Sequence, residues 1–363
     1  MHIFGAVCIN CLLSDTIKGI LQVPMKVSII IPALNEEQML SRLLESIKSQ
    51  DFDEYEVIVA DARSTDRTRE VAAEYGCRVV EGGLPAMGRN AGAAVAQGEL
   101  LFFLDADVLI PQGFLHNVYE EMQDRYLDLA TCEIRPLSDY RLDRVLHRMI
   151  NLAVLLNLRI DPKAFGFCIF VSRRLFRRVG GFDETIYVAE DNNFVKRASS
   201  FRLLHYLSSA YIMVSIRRFE KEGRFAYMNK GIKLNLYRTF RGEIRSDEVV
   251  KYEFDSFEKP EEQEDRDFLD WIEKRLIRIE ERSRRFNRNI TSRKRRAQGF
   301  DTMPEVHEYS PADSIITQPN MGLVDEFSHL LEDLDAYLGK KERRVRRLLK
   351  WKNFFRIRPE PKK

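Results

Sequence analysis

Short apolar runs alternate with amphipathic stretches through the first third of the chain. Continuous apolar runs rich in β-branched residues are typical of strands that are buried on both faces of a sheet. Such strands are expected at residues 26–32, 57–60, 78–80 and 100–104. Between them, residues 36–49 and 66–75 have helical spacing with one polar face. The pattern predicts the order β-α-β-α-β-α-β.

Right-handed crossovers turn this order into an α/β fold with a doubly wound, mostly parallel sheet. Ligands of such sheets bind beyond the carboxyl ends of the strands. The loops that follow Pro32, Ala60 and Leu104 are therefore the predicted binding region.

Two acids one residue apart, Asp105 and Asp107, follow the fourth apolar run. Side chains of an extended segment alternate, so both carboxylates face the same way and can hold a divalent cation. Oxygen-only ligation suits Mg2+ or Mn2+, which keep some waters and bridge to substrate phosphates. The alternative reading is a pair of surface acids that begin a turn.

Polar residues also occupy the other two loops. Asn35 and Glu36 follow the first strand, and Asp61 stands at the tip of the second, where it can accept a hydrogen bond from a nucleobase imide or a ribose hydroxyl. Residues 64–66 can equally well cap the next helix. The three loops together suit a nucleotide diphosphate.

Five blocks of this sequence resemble, in order and spacing, the inverting family 2 glycosyltransferases with the GT-A nucleotide-sugar-binding fold. The blocks are residues 27–36, residues 57–68, Gly88 to Gly92 with Gly98, Glu99 and the acidic pair, residues 180–184, and Glu190 with Asp191. The resemblance covers about residues 26–227 and does not extend over the last third of the chain.

The resemblance implies a GT-A (Rossmann-like) sheet and a role for each matching residue. Asp61 would contact the nucleobase, Arg89 would neutralise nucleotide or diphosphate charge, and Asp107, with Asp105 nearby, would reach the metal and the ribose. The full candidate donor set is Pro32, Ala33, Asn35, Glu36, Asp61, Arg63, Arg89, Asp105, Ala106, Arg217 and Arg218. The implied metal ligands are Asp107 and Asp105, and the implied cofactor is Mn2+ or Mg2+.

Asp191 matches the catalytic base of the family, and Glu190 is the reserve candidate. Inverting displacement requires one carboxylate that takes the proton of the acceptor hydroxyl, and no covalent glycosyl-enzyme forms. The competing explanation is structural, because residues 189–193 begin a predicted helix, where acids meet the positive end of the helix dipole. Gly180 and Gly181 are expected to form a tight turn after a helix at residues 173–179.

Three departures from the family pattern affect the donor site. Ala62 replaces the usual second Asp and Arg63 the following Gly, so the nucleobase stays open, and Arg63 is expected to compensate by binding phosphate. The usual downstream His is missing, and His205 lies too early and is expected to be structural. Arg217 and Arg218 can face the diphosphate instead, because guanidinium forks suit phosphate oxygens, or can be solvated surface residues.

The chain divides into four predicted regions. They are an N-terminal extension at residues 1–24, the GT-A domain at 25–228, a charged, largely helical extension at 229–339 and a basic amphipathic tail at 340–363. In the extension we expect a helix at residues 268–286 and a loop or linker at 287–319.

Charge is concentrated at the C-terminal end. Residues 340–363 carry twelve Lys and Arg against two Glu, a net +10 in a chain of total charge +2. Large apolar side chains are interleaved with these charges, which is the composition of a helix that lies on an anionic bilayer. A nucleic-acid arm or a solvated terminus would also be basic, although no nucleic-acid partner is expected.

A second amphipathic stretch, residues 142–158, either packs in the core or, if exposed, presents a lipid-linked acceptor. No apolar run approaches the roughly 18 residues of a membrane-spanning helix, and the first residues lack the basic leader of a signal peptide. Five scattered cysteines give no disulfide framework, with Cys77, Cys132 and Cys168 expected to stand alone. A cytoplasmic location, peripheral on the inner face of the cell membrane, is predicted.

The predicted function is metal-dependent, inverting transfer of a sugar from a UDP- or GDP-sugar to an acceptor hydroxyl or phosphate. The alternative from another class is a non-catalytic, membrane-associated scaffold with a degenerate nucleotide-sugar pocket. Ala62 and the missing His support that alternative, whereas the intact carboxylates Asp105, Asp107 and Asp191 oppose it.

Overall fold

The computed structural model describes residues 26–159, 161–224, 243–245, 266–297, 322–323, 325–327, 329–330 and 333. Its strands are β1 (Val27–Ala33), β2 (Tyr55–Asp61), β3 (Arg78–Glu81), β4 (Leu100–Phe103), β5 (Val108–Leu109), β6 (Leu129–Pro136), β7 (Ile169–Ser172) and β8 (His205–Val214). They form one sheet in the order β3-β2-β1-β4-β7-β6-β8-β5.

Helices lie between most consecutive strands, and β5 follows β4 without one. They are α1 (Glu37–Lys48), α2 (Thr68–Glu74), α3 (Pro85–Val95), α4 (Phe114–Asp124), α5 (Arg141–Asn157), α6 (Arg173–Val179), α7 (Glu190–Ser199), α8 (Arg217–Glu222) and α9 (Arg266–Ala297). Strand β1 pairs in parallel with β2 and β4, and β2 pairs in parallel with β3. The predicted α/β fold with a mostly parallel sheet is confirmed.

The second half of the sheet is mixed. Strand β7 is antiparallel to both β4 and β6, β6 is parallel to β8, and β8 is antiparallel to β5. At the change of direction, Phe102 of β4 is the register partner of Phe170 of β7, and their rings meet edge to face with centroids 4.9 Å apart. The end of β4 therefore lies at the junction of the two halves.

Both faces of the sheet are covered. Ile29 and Ile31 of β1 face a core cluster that α1 and α4 complete, and Ile30 between them faces a cluster that α3, α6 and α7 complete. All three side chains are fully buried, and each contributes about 1.5–3 kcal/mol by burial. Two-sided burial is why these strands are continuously apolar rather than alternating.

A third cluster joins the extension to the main domain. Leu146, Met149 and Leu152 of α5 pack against Ile272, Leu276 and Ile279 of α9 and against residues 323, 327 and 330. The prediction that the amphipathic stretch at 142–158 packs in the core is thus confirmed. The alternative, in which this stretch is exposed and presents a lipid-linked acceptor, is wrong. The expected loop at 287–319 is also wrong for residues 287–297, which continue α9.

The cysteine expectation needs one correction. Cys132 and Cys168 do not stand alone, because their Sγ atoms lie 3.4 Å apart as buried free thiols. The N-terminal extension and the basic tail lie outside the described residues. Within the described part of the chain, no helix combines the length and the apolar character needed to cross a bilayer.

Leu276→Ala should lower the free energy of unfolding by about 2–5 kcal/mol, because it leaves a cavity in the cluster that fixes α9 on α5. Urea denaturation measures this. The control is Arg278→Ala on the exposed side of the same helix, which should change stability by less than about 0.5 kcal/mol. Equal effects of the two substitutions would show that α9 does not pack on α5.

Candidate active site

The carboxyl ends of β1 and β2 meet at one edge of the sheet. Ala33 is the register partner of Asp61, and the Ala33 carbonyl accepts a hydrogen bond from the Ala62 N–H at 2.8 Å. Pro32 and Ala33 are therefore strand residues at this edge, and the loops that follow β1 and β2 begin side by side.

Hydrogen bonds tie these two loops together. The Asn35 N–H donates to Ser64 Oγ at 2.9 Å, and Asn35 Oδ1 accepts from the Thr65 N–H at 2.8 Å. Asn35 and Arg63 both have a positive φ, of 54° and 64°, which few non-glycine residues adopt. The polar residues that follow β1 thus build the loop conformation itself, and a donor contact of Asn35 stays a prediction.

The Asp66 carboxylate accepts hydrogen bonds from N–H groups at the starts of both neighbouring helices. Its Oδ2 accepts from the Glu37 N–H at the start of α1, at 3.1 Å, and its Oδ1 accepts from the Thr68 N–H at the start of α2, at 3.0 Å. This satisfies N–H groups that a helix cannot pair internally. The N-cap residue of α2 is Arg67 and not one of residues 64–66, but Asp66, one position earlier, has the expected structural role at the start of this helix.

Asp61 is buried, whereas the nearby Arg63 is exposed. Asp61 is 2% exposed and accepts from the Ser64 N–H at 3.2 Å, with the Arg69 Nε at 3.8 Å. The Arg63 guanidinium pairs with Glu81 at 2.7 Å, and its side chain is 84% exposed. A nucleobase contact of Asp61 and a phosphate contact of Arg63 both stay predictions.

The acidic pair follows β4 with the expected alternation. Ala106 is buried in the core, while the carboxylates on either side of it have charged partners. Asp105 Oδ1 lies 2.9 Å from Arg89 Nη2, and Asp107 Oδ2 lies 3.3 Å from Arg217 Nη2. The same Arg217 nitrogen lies 2.8 Å from Glu36 Oε1, so the segments that follow β1 and β4 meet the first residue of α8 at this edge.

These carboxylates share a partly desolvated position. Burial raises the pKa of Asp107, and the neighbouring Asp105 raises it further, whereas Arg217 and Arg218 oppose the shift. Burial also raises the pKa of Glu36, against the opposing effect of Arg217. A cation beside these oxygens would therefore be favourable.

The carboxylates of Asp105 and Asp107 are oxygen ligands of the kind that Mg2+ and Mn2+ prefer. Within the described residues, no group of three or more His, Cys, Asp or Glu is placed to hold a metal ion. Two carboxylates suffice for ions that complete their coordination with waters and substrate phosphates. Asp105 and Asp107 are thus suitable as the protein ligands of a metal that arrives with a diphosphate.

Arg89 lies at the centre of the site. It is 3% exposed, and besides Asp105 it pairs with Glu190 through Nη1 at 2.6 Å. Its guanidinium also lies 5.5 Å from the centroid of the Phe182 ring. With both of these carboxylates paired, Arg89 connects the end of β4 to the start of α7, and its contact with a diphosphate stays a prediction.

Gly166 makes room for this guanidinium. A Cβ atom at Gly166 would lie 2.3 Å from Arg89 Nη2, so no larger residue fits without movement. The Gly166 N–H donates to Asp191 Oδ2 at 2.8 Å. One backbone position therefore supports both Arg89 and Asp191. An isolated glycine in a loop has many explanations, so this role could not be recognised from the sequence.

Asp191 is a half-buried carboxylate at the start of α7. It accepts N–H bonds from Gly166 and Asn192, and it follows Ala189, which has a φ of 63°. Burial and then the neighbouring Glu190 carboxylate raise the pKa of Asp191 to about 7, although Arg89 opposes the shift. Glu190 is paired with Arg89, so Asp191 is the carboxylate suited to accept a proton near neutral pH.

Asn90 holds the turn that precedes α7 through two hydrogen bonds to the backbone of Phe182. Its Nδ2 donates to the Phe182 carbonyl at 2.9 Å, and its Oδ1 accepts from the Phe182 N–H at 2.9 Å. Gly180 and Gly181 have φ values of 81° and 73°, as expected for the tight turn. Asn90 is a second residue whose role was not predicted from the sequence, although it lies next to Arg89 in a block that resembles the family.

The remaining candidates lie on and after β8. Arg218 acts electrostatically on Asp107 and Glu36, which places its charge near the acidic pair. His205 begins β8, where its Nδ1 lies 3.5 Å from Arg125 Nη2. Of the predicted residues, the structure thus brings together Glu36, Arg89, Asp105, Asp107, Glu190, Asp191, Arg217 and Arg218.

Comparison with known proteins first defines the class. Poly(ribitol-phosphate) beta-N-acetylglucosaminyltransferase TarS of Staphylococcus aureus is 28% identical over 185 residues, 48% of this chain and 32% of that protein. The poly(ribitol-phosphate) beta-glucosyltransferase of Bacillus spizizenii is 27% identical over 203 residues, 53% of this chain and 31% of that protein. These relatives are glycosyltransferases, and the chain spans about a third of their length.

Within this class, residues 28–180 match the family model for glycosyl transferase family 2. The chain therefore carries a family 2 glycosyltransferase domain, and the family predicted from the sequence is confirmed. A crystal structure of S. aureus TarS 1-349 in complex with UDP-GlcNAc aligns with 53% of this chain and 59% of its own, at 24% identity and a TM-score of 0.45. A mannosyltransferase from Pyrobaculum calidifontis in complex with GDP-Man and Mn2+ aligns with 61% and 68%, at 21% identity and a TM-score of 0.46.

Gly166→Ala should lower the free energy of unfolding by about 1–3 kcal/mol, because the new methyl group collides with the buried Arg89 guanidinium. Chemical denaturation measures the change. The matched control is Gly83→Ala, whose methyl group would have the flexible Met87 side chain as its nearest neighbour, with Sδ at 3.1 Å. If the two variants were equally stable, Gly166 would not be the support of Arg89.

The raised pKa of Asp191 should appear as a pH dependence of stability. A carboxyl whose pKa is higher in the folded than in the unfolded chain holds a proton preferentially in the folded state, so stability falls as pH rises between the two values. The free energy of unfolding of the wild type, relative to Asp191→Asn, should therefore decrease from about pH 5 to about pH 7 and then level off.

Asp183→Asn is the control for this titration. The Thr185 hydroxyl and backbone N–H lower the pKa of Asp183, so its titration lies below the tested range and its variant should show no trend there. A pH-independent difference between the wild type and Asp191→Asn would mean that Asp191 titrates normally.

Proposed function

We propose that the protein transfers a sugar from a nucleotide-sugar donor, a UDP- or GDP-sugar, to a hydroxyl or phosphate of an acceptor. The observation that carries the proposal is the position of Asp191. This carboxylate, with a pKa of about 7, lies one residue from Glu190, which Arg89 joins to Asp105 in the donor-side acidic pair. A proton acceptor and a metal-binding pair thus flank a single guanidinium.

Asp191 is the proposed catalytic base. A base is most effective when its pKa lies near the working pH, and the raised pKa of Asp191 meets this condition. The N–H groups of Gly166 and Asn192 fix the direction of its carboxylate. It takes the proton of the attacking acceptor hydroxyl, and this single displacement inverts the configuration of the anomeric carbon.

Asp105 and Asp107 are the proposed ligands of Mg2+ or Mn2+. When bound, such an ion acts as a Lewis acid that stabilises the departing diphosphate without proton transfer. Arg89 holds the Asp105 carboxylate in position through their 2.9 Å contact. Asp61 and Arg218 complete the proposed donor site on the nucleobase and phosphate sides.

The acceptor is proposed from the sequence relatives. Two of them are named for transfer to poly(ribitol-phosphate), so phosphate-containing polyols are the first acceptors to test, with N-acetylglucosamine and glucose as the first sugars. A lipid-linked acceptor and attachment of residues 340–363 to the inner face of the cell membrane rest on the sequence alone, since α5 is packed and the tail lies outside the described residues.

Asp191→Asn should bind the donor normally and lose transfer by about 10²–10⁴-fold, because it removes the base and leaves the donor side intact. Thermal shift with UDP-, GDP-, CDP- and dTDP-sugars, with and without Mn2+, measures donor binding, because a ligand of the folded state raises the melting temperature. Product formation from the donor that binds measures transfer.

Asp107→Ala is the complementary variant and should lose the metal-dependent shift. Normal transfer by Asp191→Asn would remove the base assignment. If no nucleotide sugar stabilised the wild type, with or without metal, the non-catalytic scaffold would become the better account of this chain.

A further inference from the structure

Arg217 lies where a cation would approach Asp107. It is the first residue of α8, and its Nη2 lies 2.8 Å and 2.9 Å from the two Glu36 carboxylate oxygens and 3.3 Å from Asp107 Oδ2. One nitrogen therefore bridges the loop after β1 and the acidic pair after β4. These distances are those of charge-assisted hydrogen bonds and a close ion pair.

The segment around Arg217 is fixed on both sides. Before it, the Ser215 N–H donates to the Asp107 carbonyl at 3.2 Å, and Ser215 Oγ accepts from the Arg217 N–H at 3.2 Å. After it, Phe219 is buried in the third cluster, where its ring meets that of His147. The fold therefore fixes the backbone of Arg217 beside Asp107, and the half-exposed side chain reaches both carboxylates from there.

The charges at this position favour a cation. Glu36, Asp105 and Asp107 supply three carboxylates, of which Asp105 is paired with Arg89. Glu36 and Asp107 share Arg217. A divalent ion bound by Asp107 would meet the positive charge of this guanidinium, and like charges that are close together repel each other.

We propose that the Arg217 guanidinium competes with a divalent metal ion for Asp107. It pairs with the Asp107 carboxylate when no metal is bound, and a divalent ion must displace it. The inference deepens the proposed function, because it rests on the acidic pair as the metal site. Its consequence is that the chain binds the free metal ion weakly.

The test is a titration of the full-length protein with Mn2+ alone, followed by the electron paramagnetic resonance signal of the free ion. Arg217→Gln should bind Mn2+ about tenfold more tightly than the wild type, since the competing charge is gone. Asp107→Asn should abolish this binding in both backgrounds. Arg67→Gln removes an equal charge from an exposed pair with Glu74 and should bind Mn2+ like the wild type.

Each outcome decides the inference. Tighter Mn2+ binding by Arg217→Gln, with an unchanged Arg67→Gln control, supports it. Equal or weaker binding overturns it, because Arg217 then organises the site or takes no part in it. Arg217 is half exposed, so its variant should fold, and an unchanged melting temperature without metal verifies this.

The inference and the proposed function fail in different ways. Absence of Mn2+ binding in both the wild type and Arg217→Gln overturns the inference together with the metal site. Normal sugar transfer by Asp191→Asn contradicts only the proposed base and leaves the Mn2+ result standing.

Discussion

The candidate site depends on one buried guanidinium. Arg89 is almost inaccessible to solvent and pairs with Asp105 at the end of β4 and with Glu190 at the start of α7. Removing charges from water is costly, and a buried pair is tolerated only with close geometry and several partners. Because the buried Arg89 needs both carboxylates as partners, it fixes the end of β4 against the start of α7.

The same constraint explains the neighbouring features. Gly166 has no side chain because Arg89 fills that space, and its N–H holds Asp191 beside Glu190. Asp191 lies in a partly desolvated position next to another carboxylate, which raises its pKa into the range of a useful base. Arg217 forms an ion pair with Asp107, as Arg89 does with Asp105. Unlike Arg89, Arg217 is half exposed and can move away from its partner.

The sequence predicts local features of this molecule better than its long-range contacts. Strands β1 to β4 could be predicted because strands that are buried on both faces have continuous apolar sequences. The positions of the acids at the ends of these strands could be predicted from the same runs. The Arg89 pair with Glu190 spans 101 positions and that of Arg217 with Glu36 spans 181, so only folding reveals them. Residues 287–319 mix polar and basic side chains with little periodicity, which predicts a loop. Helix α9 nevertheless continues to residue 297, because a helix that is already nucleated by packing extends at little cost.

The most direct test of this account is a double-mutant cycle on Arg89 and Glu190, measured by equilibrium unfolding of Arg89→Met, Glu190→Gln and the double variant. If Arg89 compensates a buried carboxylate, Arg89→Met alone should cost about 3–5 kcal/mol, and adding Glu190→Gln should recover part of that loss. Additive effects of the two substitutions would contradict the claim that this ion pair joins the two halves of the site.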